Sequence, residues 1–281
     1  MPIFLNRTDT KRMPRGKRRG RPMRPSRRIT LEVRRAITDS MKGLIEDIEN
    51  LTPWLEGTAT AVEAAQVLRD IRERWSVIFR VRAQRIAEEW KERISRESRE
   101  QLERNIADAL GLDMTRIFDE PIVRDAAELM SMEARALITS IQDDYLDKVQ
   151  QAVTQNFMQL PLPEGKSLAE YISDLSGLPD SRARLISRDQ TRKMHTAIDQ
   201  ARQQSIGIEE YIWRTRKDGR VVGKPGGMYP EGNAVHGNHW KREGKTFRWD
   251  TPPPDGHPGY AINCRCFYEP IIDVSKLRNA A

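Results

Sequence analysis

The sequence predicts an α+β protein: an elongated, mainly helical N-terminal part followed by a small C-terminal α+β module. Three observations carry this. Apolar residues recur at helical spacing over most of residues 29–205. Charged residues make up 32% of the chain and aromatics only 6%, a balance that suits two-faced helices with wide solvated sides. After Gly207 the pattern changes to short alternating runs separated by Gly- and Pro-rich turns.

Residues 1–28 come first. The run from Met13 to Arg28 (MPRGKRRGRPMRPSRR) is basic, and residues 1–35 hold thirteen Lys or Arg against Asp9 and Glu32. The whole chain is +7, so everything beyond this segment is net acidic. Such a stretch repels itself and has little to bury, which predicts a disordered basic arm. Arg15, Lys17, Arg18, Arg19, Arg21, Arg24, Arg27 and Arg28 are its candidate contacts for DNA or for acidic partner surfaces.

A helical bundle domain is expected over residues 29–160. Leu31, Ile37, Met41, Leu44, Ile45 and Ile48 mark a first helix, with a stop at Thr52-Pro53. Thr60 and Glu63 form a capping box. A long helix follows, with Ala64, Leu68, Ile71, Trp75, Ile78, Phe79, Ile86 and Trp90 on one face. A shorter helix is expected over 98–110. Pro121 can open another long one, striped by Ala127, Met130, Ala134, Leu137, Ile141, Tyr145 and Val149. These stripes read as packing surfaces, since such helices are stable only when their apolar faces are covered.

Residues 161–179 read as a linker and a short helix opened by the Ser167–Glu170 capping box. The C-terminal module is expected over 180–273, with a tail at 274–281. It begins with a helix over 180–205, in which His195 is read as solvent-facing among polar neighbours. Ile208–Arg216 reads as a strand, Arg220–Val222 as its partner across an Asp218-Gly219 turn, and Thr246–Trp249 and Cys264–Ile272 as further strands. Trp213, Trp240 and Trp249 are expected to form the module's core.

All four histidines and both cysteines fall within residues 195–266. On a strand, Cys264 and Cys266 would project to one face, and His239 and His257 could join them in a tetrahedral Cys2His2 set for a structural zinc. The other reading makes the thiols small buried hydrophobes and the histidines hydrogen-bonding groups. The residues alone leave both open. A Cys264–Cys266 disulfide is disfavoured, because an extended Cys-x-Cys puts the α-carbons near the limit for bridging. No apolar run is long enough to span a membrane, and the N-terminus lacks a secretory signal; the chain reads as made in a reducing cytoplasm.

Over residues 180–270 the order of short motifs resembles the phage Mu F-like head morphogenesis family of minor head proteins. The matching residues are Trp213, Asp218, His239, Gly244-Lys245 with Phe247, Pro252-Pro253, His257-Pro258-Gly259 and Cys264-Arg265-Cys266. The lead-in Arg188-Asp189-Gln190-Thr191 and Gly207 also agree. Residues 223–237 are longer than the family's connection and leave His236 without a counterpart.

The resemblance implies a non-enzymatic structural protein of the virion. It would be made in the host cytoplasm and act in head morphogenesis at or near the portal vertex, with the portal protein and capsid components as partners. Double-stranded phage DNA is a further partner on this reading, during packaging and ejection. Two alternatives stand beside it: a non-specific DNA-binding protein centred on the arm, and a metal-dependent nuclease using His236, Asn238 and His239.

Overall fold

The computed structural model describes residues 16–111, 121–232 and 237–277. The fold is α+β and mostly helical, with one small antiparallel sheet. Among the described residues the α-helices are α1 (Arg27–Gly57), α2 (Ala61–Leu110), α3 (Pro121–Phe157), α4 (Leu168–Leu175) and α5 (Leu178–Ser205). The strands among them are β1 (Lys17–Arg19), β2 (Glu210–Arg214), β3 (Thr246–Arg248) and β4 (Phe267–Asp273), in the spatial order β1-β4-β2-β3.

Two compact units result, and neither is continuous in sequence. One comprises Ser26–Glu92 and Leu129–Gln190; the other holds the described residues of Met1–Pro25, Arg93–Glu128 and Thr191–Ala281.

The first unit is helical. Its α1 stripe is Ile29, Val33, Ile37, Met41, Leu44 and Ile48, all buried, whereas Leu31 is exposed and Ile45 only half-buried. The expected stop at Pro53 does not occur. The helix runs through it to Gly57, because Leu55 is buried and Glu56 accepts the Ala169 N–H at 2.8 Å. Both capping boxes form: Glu63 accepts from Thr60 N–H at 2.9 Å, and Glu170 from Ser167 N–H at 2.9 Å. Polar ties link the helices, among them Arg34 to Asp180 at 2.7 Å and the Trp75 indole to Asp47 at 2.7 Å.

α2 is one helix, not two. Trp90, Ile94, Ser98, Leu102 and Ile106 are all fully buried at four-residue spacing. Ser98 hides the continuity, because a serine reads as a break in an apolar stripe.

The second unit contains the sheet. Here the expected disordered arm is corrected for residues 16–28. β1 pairs antiparallel with β4 (Lys17 with Asp273, Arg19 with Ile271), Met23 is fully buried, and Ser26 caps α1. Its charges find partners that composition does not reveal. Lys17 pairs with Glu210 at 2.5 Å, Arg19 with Glu269 at 2.6 Å and Arg21 with Asp108 at 2.7 Å. Beyond the sheet, Arg28 pairs with Glu32 along α1. Arg18, Arg24 and Arg27 are exposed, and Arg15 lies outside the described residues.

Two further expectations are corrected. Residues 220–222 form no strand, because β3 and β4 occupy both edges of β2. His195 is not solvent-facing but fully buried, with Nδ1 3.1 Å from Asp199 Oδ2. Asp199 also accepts from Ser98 and from the Tyr268 hydroxyl, and Arg202 donates to Ser98. The Asp199 carboxylate and the Arg202 guanidinium are tolerated there because hydroxyl groups of Ser98, Tyr268 and Ser95 bond to them.

Candidate metal centre

The module is built on the aromatic face of β2. Tyr211 and Trp213 are buried with Trp249, Tyr268, Ile272 and Met23 in one cluster that also contains Cys264 and Cys266. Trp240, the third expected core tryptophan, is only half-buried and lies under Lys224.

The motif residues are spent on this packing. Gly244 has φ +75°, and its N–H donates to the Trp213 carbonyl at 2.9 Å while Trp213 N–H reaches Lys245 O. A turn with that backbone favours glycine. Gly259 has φ +96° and sits against α5, where the Thr196 hydroxyl donates to the Pro258 carbonyl at 2.7 Å. A side chain at Gly259 would meet Arg192 Cβ and Thr196 Oγ1 at 3.2 Å.

Cys264 and Cys266 are not on a strand, since β4 begins at Phe267. They lie in the turn before it, where Cys264 N–H donates to Ala261 O at 2.9 Å and Asn263 adopts φ +61°. Both thiols are nevertheless buried, with Arg265 between them partly exposed. The shared burial expected of a strand is thus met in the irregular segment that leads from this turn into β4.

His239, Cys264 and Cys266 form a cluster whose ligand atoms all lie within 4.8 Å of one another. His239 Nδ1 stands 3.7 Å from Cys264 Sγ and 3.5 Å from Cys266 Sγ. Gly259 N–H points at Cys264 Sγ from 3.4 Å. On the far side of the imidazole, Nε2 lies 2.7 Å from Asp255 Oδ2, and Asp255 Oδ1 pairs with Arg242 at 2.6 Å. Arg242 in turn covers the Trp213 ring at 4.8 Å.

The electrostatics follow from this geometry. Cys264 is held well below the usual thiol range by hydrogen bonding to Cys266 and by His239. Cys266, sharing that contact and buried, is pushed up. Burial disfavours a charged His239, but Cys264 and Asp255 outweigh it and raise its pKa. Burial likewise opposes ionisation of Asp255, and Arg242 and His239 overcome it. A thiolate beside a carboxylate-oriented imidazole is the donor chemistry of a metal site.

His257 does not join this cluster. Its Nδ1 is bonded to the Tyr211 hydroxyl at 2.9 Å, and its ring packs edge-on against Trp249 at 4.8 Å. Burial lowers its pKa to about 4. It belongs to the aromatic core as a neutral group, and the expected four-residue set is reduced to three. His236 lies outside the described residues. Asp255 and Arg242 carried no sequence signal beyond proximity to the histidines.

The fold and the site together define a mostly helical α+β protein whose C-terminal sheet module carries a three-ligand candidate metal centre. A protein of Haemophilus influenzae, itself described only as uncharacterized, is 29% identical over 266 residues. The match covers 91% of this chain and 56% of that protein, so the chain spans about half the length of the curated relative it matches. No family model matches the sequence. No solved structure matches it either.

Proposed function

We propose that the protein is a structural minor head protein of a tailed bacteriophage, acting in head morphogenesis at or near the portal vertex. One observation carries this reading. The residues that resemble the Mu F-like family, from Trp213 through Gly244, His239, His257 and Gly259 to the paired thiols, are spent on holding one small module together. Scaffolding rather than turnover is what such an arrangement supports. The long two-faced helices offer surfaces for the portal protein and capsid components.

The metal is zinc on this reading, held by His239, Cys264 and Cys266. Zinc bonds of about 2.3 Å to sulfur and about 2.0–2.1 Å to nitrogen put tetrahedral ligand atoms about 3.6 Å apart. The observed 3.5 and 3.7 Å separations agree with that spacing. A small module gains stability from such a lock.

DNA contact through the N-terminal segment is a narrower proposal than composition suggests. Lys17, Arg19, Arg21 and Arg28 already meet acidic partners within the chain. Exposed Arg18, Arg24 and Arg27 are the described side chains left to face phosphates. The nuclease reading is disfavoured, since Asn238 accepts the Lys241 N–H at 3.0 Å and serves as a local cap.

Co-expression with the portal protein of the same phage tests the assignment. A stable complex that survives gel filtration is expected. A chain that stays monomeric beside the portal at assembly concentrations would overturn it.

A further inference from the structure

The triad is not sealed on every side. His239, Cys264 and Cys266 all line one pocket of about 190 Å³, together with Arg220, Arg265 and Tyr229. Apolar Val221, Val222 and Ile262 complete most of the wall, and the lining holds no Asp or Glu. Among the described residues no fourth His, Cys, Asp or Glu joins the cluster. A tetrahedral divalent ion with three protein ligands keeps one position for an outside group.

Charge then selects the class of that group. Two thiolates and a neutral imidazole cancel a divalent cation, so the centre itself is close to neutral. Arg220 and Arg265 make the surroundings positive. Arg265 shares part of its charge with Asp218 at 2.7 Å, while Arg220 is exposed at the rim. Guanidinium groups suit planar or tetrahedral oxyanions because their N–H donors form a fork.

We infer that this pocket is a binding site for a small oxyanion, a carboxylate or a phosphate. Arg220 and Arg265 would hold it beside His239, Cys264 and Cys266, where a fourth ligand belongs. The inference rests on the reading of the triad as a metal centre, and the test separates the two.

The full chain is loaded with Co²⁺ and its visible spectrum recorded with added potassium phosphate, sodium acetate or, as an ionic-strength control, sodium perchlorate. Loading should give a thiolate-to-metal charge-transfer band. Phosphate or acetate should then shift the ligand-field bands saturably while perchlorate does not, and comparing the two arms identifies the preferred oxyanion. Arg220→Gln and Arg265→Gln should each weaken the response about tenfold, the loss of one charge-assisted hydrogen bond, with the charge-transfer band intact. No charge-transfer band on loading removes the metal reading and this inference with it. A normal band that ignores both anions overturns the inference alone, as does an anion response that appears only in His236→Ala.

Discussion

The imidazole of His239 is fixed from behind by Asp255, whose Oδ2 lies 2.7 Å from Nε2, while Nδ1 faces the two sulfurs. With a metal bound at Nδ1, this contact would hold the ring proton on Nε2 and aim the Nδ1 lone pair at the cluster. Removing the charge while keeping the shape should therefore weaken metal binding without removing a ligand. Asp255→Asn is expected to lower zinc affinity about 10- to 100-fold, measured by competition with a chromophoric chelator. Unchanged affinity would mean that Asp255 only partners Arg242.

Protein purified without chelator should carry one zinc per chain by elemental analysis. The double variant Cys264→Ser, Cys266→Ser should carry none, whereas His257→Gln should keep its zinc. Loss of zinc in His257→Gln would restore the four-residue set and contradict the three-ligand geometry.

His257 gives the module a defined pH dependence. Its folded pKa of about 4 lies below the ordinary 6.5, because burial disfavours the charged ring. The unfolded chain takes up a proton below pH 6.5 that the folded chain refuses. Stability from this group is thus complete above about pH 6.5 and falls as the pH drops towards 4, by on the order of 3 kcal/mol. Urea denaturation across that range should show a shallower slope for His257→Gln. Equal slopes would show that the ring is not held neutral.

Gly259 adopts φ +96° against α5, and a methyl group there would press on Arg192 Cβ and Thr196 Oγ1 at 3.2 Å. Gly259→Ala should cost about 1–3 kcal/mol from backbone strain and this close approach. Because Gly259 N–H also points at Cys264 Sγ, zinc affinity should fall with it. A variant as stable as the parent would mean that the turn relaxes freely.

Met23 tests whether the N-terminal segment belongs to the fold. It is fully buried, packs in the sheet cluster, and its N–H donates to the Tyr268 carbonyl at 2.8 Å. Met23→Ala should cost about 2–5 kcal/mol in chemical denaturation, as for other buried large-to-small changes. A negligible effect would return residues 16–25 to the status of a loose arm.

Local signals were legible wherever the cause is local. The Thr60–Glu63 and Ser167–Glu170 boxes and the opening at Pro121 form as their residues dictate, because a cap needs only three or four neighbours. Pro53 misled because tertiary contacts beyond it hold the helix against its own local preference. His195 misled for the same reason in reverse. It reads as solvent-facing among polar neighbours, yet it is buried beside Asp199, which Ser98 and Tyr268 meet from other elements.

The sequence by itself determined the helical character of most of residues 29–205, the starts of α2, α3 and α4, and the clustering of histidines and thiols near the C-terminus. These depend on periodicity and residue type, which any chain carries in its own order. Only the tertiary structure decided that Lys17, Arg19 and Arg21 form ion pairs with acids, Glu269 lying 250 positions beyond Arg19. It alone separated His239 from His257, one facing two sulfurs and the other a tyrosine hydroxyl. Which partner a side chain meets across so many residues depends on how the elements pack, and linear spacing does not encode it.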